Sequence, residues 1–345
     1  MKRFAKRLKT SQFASALALA GANVLLILRH SSHLAAFVVL SWYLVVFALG
    51  ESSRKAAGKG PAKTLTASSL KVKLPRDRTF EQIKNHYEVE RSLAAELKAG
   101  SREERAALYG TLYAELFKRV PDHDRLRRGA APDGQSARFR NNLKFVETYL
   151  DPAATFIEFG PGDCEFARRV SPLFQKVYAA DISDQRGQSF TSPRNFELIL
   201  YDGFHLRLQD QSADVVFSDQ FIEHLHPEDA EEHFRRVKRI LRPGGVYIFH
   251  SPHAFSGPHD VSKYFSAKPE GFHLKEWTYR DIVAVLRKLG YTSWSSSVRL
   301  HGNPRACPAA YMNVAEILLQ DLPPGARRRL SRYMLPRKIW MFAVK

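Results

Sequence analysis

The chain has 345 residues and an ordinary globular composition, with 44% hydrophobic, 12% aromatic and 26% charged residues. Its net charge of +18 is concentrated at the two ends, because residues 1–78 hold 14 Lys and Arg beside two acids and residues 322–345 hold seven and no acid. This distribution favours an anionic membrane surface as partner and argues against nucleic acid, although the C-terminal charges could simply be solubilising. Cys164 and Cys307 are too few for a disulfide framework.

Two apolar runs follow the basic N-terminus, at residues 12–28 and 34–50. As a helix each would be about 25 Å long, slightly short of the ~20 residues of an ordinary membrane span. A two-helix transmembrane hairpin would place the basic clusters before and after the runs on one side, as the positive-inside rule requires. We therefore expect residues 1–50 to form a membrane anchor and 51–78 a flexible basic tether. A single span, an in-plane anchor or a cleaved signal peptide are the alternatives.

Residues 79–139 are expected to form a helical N-terminal extension. Apolar residues at helical spacing predict helices at 80–100, 101–120 and 140–150, with a loop at 125–138. The aromatic stripe of the second helix, Tyr109, Tyr113 and Phe117, is typical of core packing, and a lid over the substrate is the alternative.

From residue 155 to residue 250 short apolar strands alternate with helical segments, which predicts a parallel sheet with helices on both faces. The predicted strands are 155–160, 176–183, 195–202, 213–219 and 245–251. In such sheets ligands bind beyond the carboxyl ends of the strands. The turn after the first strand therefore marks the expected site.

That turn reads EFGPGDCE and presents two glycines, Gly160 and Gly162, between carboxylates. The dinucleotide pattern GxGxxG fails, because Glu165 stands where the third glycine is needed. Glu158 and Asp163 flank the glycines, and carboxylates would repel a pyrophosphate but attract a ligand that carries a sulfonium and an ammonium. The sequence thus favours S-adenosylmethionine (SAM) as the bound cofactor.

The chain resembles the class I SAM-dependent methyltransferases, and within them the ubiquinone/menaquinone-type group. The motifs that carry the resemblance are EFGPGD, the acid Asp181 closing the second strand, Asp202-Gly203, SDQFIEHL and LRPGG. The resemblance covers residues 140–300 and implies an α/β, Rossmann-like sheet of order 3-2-1-4-5-7-6 with the last strand antiparallel. Residues 140–345 would be the methyltransferase domain, with final strands at 295–300 and 338–345 separated by an insert at 302–337.

The resemblance also implies cofactor contacts at particular positions. The implied residues are Glu158, Gly160, Gly162, Asp163, Asp181, Asp202, Gly203 and Asp219. The glycines of the turn would let the backbone approach the methionine part of SAM, and Glu158 would support its ammonium group. Asp181 would accept hydrogen bonds from the ribose hydroxyls, while Asp202 would meet the adenine amino group and Gly203 would let the ring come close. An ordinary role in a strand-end turn is the alternative for both aspartates.

Candidate residues for contact with the methyl acceptor follow the fourth and fifth predicted strands. His224, His273 and His253 are the candidate catalytic residues, because a histidine there can orient an acceptor or remove its proton. For His224 a hydrogen bond to a neighbouring loop is the alternative. The sequence predicts no metal site, since His253, His259 and His273 lack the tight spacing of metal ligands and no cysteine joins them.

The predicted function is transfer of the SAM methyl group to an acceptor, with oxygen favoured. The expected acceptor is a small molecule, a lipid or a lipid-linked glycan at the cytoplasmic face of the membrane, since SAM is made in the cytosol. A nucleic-acid methyltransferase is an alternative, but the Asp/Asn-Pro-Pro-aromatic signature is missing where the chain reads SDQF. A non-catalytic SAM-binding scaffold is the other alternative. The sequence does not specify the oligomeric state.

Overall fold

The computed structural model describes Thr66, Leu70 and residues 72–128, 132–300 and 303–345. The expected membrane hairpin, with helices at 12–28 and 34–50, and most of the tether 51–78 lie outside the described residues. Within the described part of the chain, no helix combines the length and the apolar character needed to cross a membrane.

The first two helices begin where the sequence predicts. Thr79 and Ser101 start them with capping boxes, in which Gln82 and Glu104 return the hydrogen bond to the backbone of the capping residue. The helices of the described chain are α1 (Phe80–Ala99), α2 (Arg102–Arg119), α3 (Asp124–Arg128), α4 (Pro132–Val146), α5 (Glu165–Val170), α6 (Pro227–Ile240), α7 (Tyr279–Lys288), α8 (Ala309–Gln320) and α9 (Pro324–Met334).

The predicted loop at 125–138 is wrong, because α4 already begins at Pro132. Proline is favoured at the first position of a helix, where its missing N–H is not needed. The early start matters for the site, since it places Arg138 and Asn142 on one rigid helix.

Eight strands of the described residues form one sheet. They are β1 (Thr155–Phe159), β2 (Lys176–Asp181), β3 (Phe196–Leu200), β4 (Ala213–Asp219), β5 (Leu241–Pro252), β6 (Ser293–Leu300), β7 (Asn303–Cys307) and β8 (Lys338–Val344). Their order is β3-β2-β1-β4-β5-β8-β6-β7, and β8 runs antiparallel to both β5 and β6. The predicted order and the antiparallel last strand are confirmed. The sheet has one more strand than predicted, since the expected insert 302–337 contributes β7 at the edge, followed by α8 and α9.

Alternate residues of β5 pack against helices on opposite faces of the sheet, as the two-residue period of a strand requires. Val246 and Ile248 belong to a core cluster that contains residues of α4 and α5. On the other face, Tyr247 and Phe249 contact the ring of Phe234 in α6, with centroids 5.8 and 5.4 Å apart. The sheet is therefore buried between two helical layers.

The N-terminal extension is packed against the long connection between β5 and α7. Leu97 of α1 and Leu116 of α2 lie in a buried cluster with Phe272 and Leu274 of that connection. The cluster also contains Tyr109, whereas Tyr113 and Phe117 are only partly buried beside it. Burial of this apolar surface makes α1 and α2 a support for the segment that carries His273.

Candidate active site

The chain leaves β1 at Phe159 and turns through Gly160 and Gly162 into α5. Gly160, Gly162 and Cys164 all have φ values of 60–63°, a left-handed backbone that favours glycine at the first two positions. A Cβ atom on Gly160 would overlap the ring of Phe221, whereas one on Gly162 would meet no atom within 4 Å. Gly160 thus permits close packing after β4, and Gly162 leaves bare backbone on the wall of an adjacent cavity.

The buried carboxylate of Asp181 ties β2 to the glycine turn. Its Oδ2 accepts the N–H of Gly162 at 3.2 Å, and its Oδ1 accepts the N–H of Ile182 at 2.7 Å. Burial raises the pKa of Asp181 above its ordinary value, although these backbone hydrogen bonds oppose the effect. The carboxylate fixes the shape of the turn, and its contact with the ribose hydroxyls stays a prediction.

A cluster of charged and polar side chains lies beside the turn, centred on the buried Asp219 at the end of β4. Asp219 Oδ2 accepts hydrogen bonds from Arg138 Nε and Asn142 Nδ2, both at 2.8 Å, and its Oδ1 pairs with His250 Nε2. Burial would raise the pKa of Asp219, but His250 and Arg138 outweigh it and hold the pKa well below its usual range. None of the three partners belongs to a sequence motif, so none was predicted as a site residue.

Glu158 is the second carboxylate of this cluster. It is 2% exposed, and its Oε2 accepts the N–H of Ala167 in α5 at 3.0 Å. Burial raises the pKa of Glu158 to about 8, against the lowering effect of Arg138, and Asp219 and Asp163 raise it further. A cation that approaches this position would favour the ionised carboxylate. Asp163 itself lines the cavity.

Asp202 and Gly203 follow β3, away from the cavity wall. Asp202 Oδ1 accepts the N–H groups of Phe204 and His205 at 2.8 and 2.6 Å, and its Oδ2 lies 2.6 Å from His205 Nδ1. Burial would raise the pKa of Asp202, but His205 and these N–H groups hold it at about 2. A Cβ atom on Gly203 would lie 2.9 Å from the ring of Tyr109. The space beside Gly203 that was predicted to hold the adenine ring is therefore occupied by Tyr109 of α2. The contacts of Asp202 and Gly203 with adenine stay predictions.

His224 and His273 lie together, with ring centroids 5.1 Å apart. His224 Nδ1 is 3.0 Å from the carbonyl oxygen of Phe272, and His273 Nδ1 is 2.9 Å from Glu276 Oε1. Burial and the neighbouring His273 hold the pKa of His224 well below its usual range. Burial would also lower the pKa of His273, but Glu276 and Glu223 outweigh it and raise that pKa.

Glu223 completes this group; the sequence offers it as a candidate beside His224, but it was not among the predicted catalytic residues. Its side chain is 0% exposed, and neither carboxylate oxygen has a hydrogen-bond partner among the described residues. Burial raises the pKa of Glu223 to about 7, against the lowering effect of His273. The signal that could have identified it was its position directly before His224.

His253 is placed differently from the other two histidines. It is 0% exposed, its Nε2 lies 2.9 Å from Glu316 Oε1, and its Nδ1 accepts the N–H of Phe255 at 3.1 Å. Glu316 also accepts the N–H groups of Tyr279 and Arg280 at 2.6 and 3.0 Å. His253 thus helps join α8 to the start of α7, and this placement argues against its predicted catalytic role.

A cavity of about 1800 Å³ opens between the glycine turn and the C-terminal segments. Its lining includes Gly162, Asp219 and His224, and also the basic residues Arg332, Arg337 and Lys338, which we call the basic side. Ligand pockets usually measure about 300–1,000 Å³, so this one has room for a cofactor and a second molecule. Arg332 lies in α9, Arg337 directly before β8 and Lys338 at its first position, within the segments predicted as the insert and the last strand.

Comparison with known proteins connects this geometry to a reaction. Residues 157–249, which hold the turn, Asp181, Asp202, Asp219 and His224, match the family model described as a methyltransferase domain. The chain is therefore similar to that family over most of the first five strands of its sheet. Comparison with curated proteins gave no match.

Several solved structures resemble the chain at low identity. One chain of the complex between the Haloferax volcanii Trm112 methyltransferase activator and its methyltransferase is 17% identical, with 62% of this chain and 95% of that chain covered and a TM-score of 0.42. A SAM-dependent methyltransferase from Archaeoglobus fulgidus is 16% identical, with 61% and 94% covered and a TM-score of 0.42. These similarities are too low to carry an argument about acceptor or partner.

A third similar structure contains ligands. Phosphoethanolamine N-methyltransferase 2 of Haemonchus contortus, in complex with phosphomonomethylethanolamine and S-adenosylhomocysteine, is 17% identical, with 60% of this chain and 52% of that chain covered and a TM-score of 0.41. The domain match agrees with the cofactor chemistry read from the turn. The enzyme is a SAM-dependent methyltransferase, and SAM is its methyl donor.

The residues on the cavity wall are suited to holding a methyl donor next to an acceptor. Gly162 and Asp163 line the cavity, whereas Glu158 is buried and absent from its wall, and the contacts of all three with the donor stay predictions. Methyl transfer discharges the sulfonium, so the protein mainly has to hold donor and acceptor in line. Of the three predicted catalytic histidines, His224 is the one that lines the cavity.

Proposed function

We propose that this methyltransferase methylates an oxygen atom of an anionic acceptor, which is a small molecule, a lipid or a lipid-linked glycan at the cytoplasmic face of the membrane. The basic side of the cavity is the observation that carries the proposal. Arg332, Arg337 and Lys338 line the same cavity as Gly162 and His224.

The positive charges of Arg332, Arg337 and Lys338 are available to bind an anionic ligand. None of the described acidic side chains comes within ion-pair distance of Arg332, Arg337 or Lys338. By contrast, Arg168 and Arg186 of the same cavity pair with Glu165 and Asp184 at 2.8 and 2.6 Å. Arginine and lysine bind phosphate and carboxylate groups through charge-assisted hydrogen bonds. An acceptor with such a group would be held by the basic side while its hydroxyl faces the glycine turn.

The methyl transfer itself is a simple displacement. A lone pair of the acceptor oxygen forms a bond to the methyl carbon, the carbon–sulfur bond breaks, and its electron pair returns to sulfur. The hydroxyl proton must leave the oxygen. His224 stands on the cavity wall with Nδ1 directed at a carbonyl oxygen, so Nε2 is the nitrogen left to meet the acceptor.

The membrane location rests on charge and apolar patterning. Two apolar runs precede a basic tether in the sequence. At the other end, α9 carries Arg327, Arg328, Arg329 and Arg332, and Tyr333 beside them is 74% exposed. Basic residues next to exposed aromatic side chains suit an anionic bilayer surface. A lipid-borne acceptor would then enter the cavity from the side where α9 lies.

The experiment that tests this function uses the full chain in detergent, a membrane lipid extract and SAM labelled in its methyl group. The expected result is label in the lipid fraction, lost when Arg332 and Arg337 are both changed to Glu. Arg194→Glu is the matched control, because Arg194 lies outside the cavity wall and should leave labelling unchanged. Absence of label in the lipid fraction, or equal lipid labelling by the double variant, would overturn the proposal.

A further inference from the structure

We propose that Glu223, His224 and His273 form a binding site for one divalent transition-metal ion beside the cavity. A ligand atom from each of the three side chains lies within 4.8 Å of the others. Two of the residues follow β4, and the third comes from the long connection after β5. The chain thus brings together two imidazoles and one carboxylate from distant segments at the edge where the methyl donor binds.

The hydrogen bonds of the two histidines leave the same nitrogen available on each ring. A carbonyl oxygen cannot donate, so His224 Nδ1 must carry the proton that it shares with Phe272, and its Nε2 has a lone pair. His273 Nδ1 makes the equivalent contact with Glu276 Oε1 at 2.9 Å. Metal-binding histidines are typically held in this way, with one nitrogen donating to a carbonyl or carboxylate and the other facing the ion.

Glu223 supplies an independent sign that a ligand belongs here. The side chain is 0% exposed, and neither oxygen has a hydrogen-bond partner of acceptable geometry among the described residues, although the hydroxyl of Ser251 is close enough to lower the pKa of Glu223. Buried carboxylates are costly unless they are paired or coordinate a metal. An ion bound at about 2.0–2.1 Å from each ligand atom would hold those atoms roughly 3–4 Å apart, which needs only a small contraction of the present group.

A second group of the same composition shows the difference between a paired cluster and a ligand site. His86, Glu90 and His123 also have ligand atoms within 4.8 Å of one another. However, Arg78 Nη1 lies 2.9 Å from His86 Nδ1, and His86 Nε2 lies 2.7 Å from Glu90 Oε1. Both ring nitrogens of His86 therefore already have hydrogen-bond partners, and the guanidinium of Arg78 already supplies a positive charge to the cluster. This cluster is satisfied internally, whereas Glu223 is not.

The ligand set indicates the class of ion. Two imidazoles and one carboxylate suit Zn²⁺, Mn²⁺, Fe²⁺ or Co²⁺ better than Mg²⁺ or Ca²⁺, which prefer oxygen. Three protein ligands leave positions open for another molecule. The proposal replaces the prediction of no metal site, which weighed His253, His259 and His273 and did not pair His224 with Glu223.

The consequence for catalysis rests on the proposed function. His224 lines the cavity, so the open side of the ion would face the acceptor. A metal-bound hydroxyl is more acidic than a free one, and its proton would pass to water in the cavity as the oxygen bonds to the methyl carbon. With the ion bound, His224 Nε2 is occupied as a ligand, so the ion and not this nitrogen would meet the acceptor oxygen.

The test measures metal binding directly and needs no acceptor. The full chain in detergent is stripped with a chelator and titrated with Co²⁺, and visible absorption and equilibrium dialysis give the affinity and the stoichiometry. We expect about one ion per chain, bound through nitrogen and oxygen ligands. Glu223→Gln and His224→Ala should each weaken binding by at least ~100-fold, because losing a direct ligand costs more than losing a residue that supports one.

The controls separate this site from other histidines and from the proposed function. His205→Ala removes an exposed histidine and His123→Asn disrupts the internally paired cluster, and both should bind Co²⁺ like the unchanged chain. Calorimetry with SAM shows that each variant is folded, and two independent ligand variants keep the test decisive. Absence of saturable Co²⁺ binding, or unchanged affinity in both ligand variants, would overturn the metal site. Co²⁺ binding without lipid labelling would instead overturn the proposed function alone.

Discussion

Arg138 Nε on α4 donates a hydrogen bond of 2.8 Å to Asp219 Oδ2 at the end of β4. The contact joins the helix that precedes β1 to the strand end that follows the glycine turn. Asn142, one helical turn along α4, donates to the same oxygen at 2.8 Å. A single carboxylate therefore sets the position of α4 over the donor site, and its other oxygen is paired with His250.

Changing Asp219 to Asn should destabilise the protein and weaken SAM binding. Breaking a buried ion pair typically costs about 3–5 kcal/mol, and a value near 2–3 kcal/mol fits here because the Arg138 side chain is 57% exposed. Denaturant unfolding measures the stability and calorimetry measures SAM affinity. Asp210→Asn is the matched control, since its pair with Arg239 is exposed on both sides and should be worth less than about 1 kcal/mol. Equal losses in the two variants would contradict this view of Asp219.

The two glycines of the turn should respond differently to alanine. At Gly162 the only cost to stability is the left-handed backbone, about 1–2 kcal/mol, because a Cβ atom meets nothing within 4 Å. At Gly160 the same strain is joined by overlap with the Phe221 ring, so the loss of stability should be larger. Unfolding of Gly160→Ala, Gly162→Ala and the double change Gly160→Ala with Phe221→Ala compares the costs. If adding Phe221→Ala restores none of the stability lost in Gly160→Ala, overlap with the Phe221 ring is not the cause of that loss.

The sheet and the turn could be predicted from the sequence, because apolar strands, glycine turns and capping boxes each depend on residues that are close together in the chain. Distant contacts were not predictable in this way. The partner of Asp219 is 81 residues away on a helix whose start was placed eight residues too late. The extra strand β7 contains Pro304 and lacks alternating apolar residues, which an edge strand tolerates. The burial of Glu223 depends on contacts between distant segments, and only its position directly before His224 pointed to it.

The buried histidine His123 should make stability depend on pH. Burial lowers the pKa of His123 to about 4, and the neighbouring His86 lowers it further while Glu90 opposes the effect. The folded state thus holds a neutral ring, and the unfolded chain binds a proton below about 6.5. The stabilisation is present above pH 6.5 and is lost as the pH falls towards 4, by up to about 3 kcal/mol.

His123→Asn isolates this effect from the other groups that titrate between pH 4 and 6.5. Asparagine keeps an acceptor for the N–H of Arg125, which lies 3.2 Å from His123 Nδ1, but it does not titrate. Urea unfolding at pH 7 and at pH 4.5 should show a smaller loss of stability on acidification for the variant than for the unchanged chain. Parallel losses would mean that His123 is already protonated in the folded protein.

Binding of SAM should release a proton from Glu158. The pKa of this buried carboxyl is raised to about 8, with Arg138, Asp219 and Asp163 as its charged neighbours, so the group is largely protonated at pH 7. The positive charges of SAM favour the ionised form, which lowers that pKa when the donor binds. SAM affinity should therefore rise with pH up to about 8. Calorimetry at pH 7 in buffers of different ionisation enthalpy measures the release. Glu158→Gln should abolish the buffer dependence attributable to this group while keeping the hydrogen bond from Ala167, and an identical proton count in both proteins would exclude Glu158 as the source.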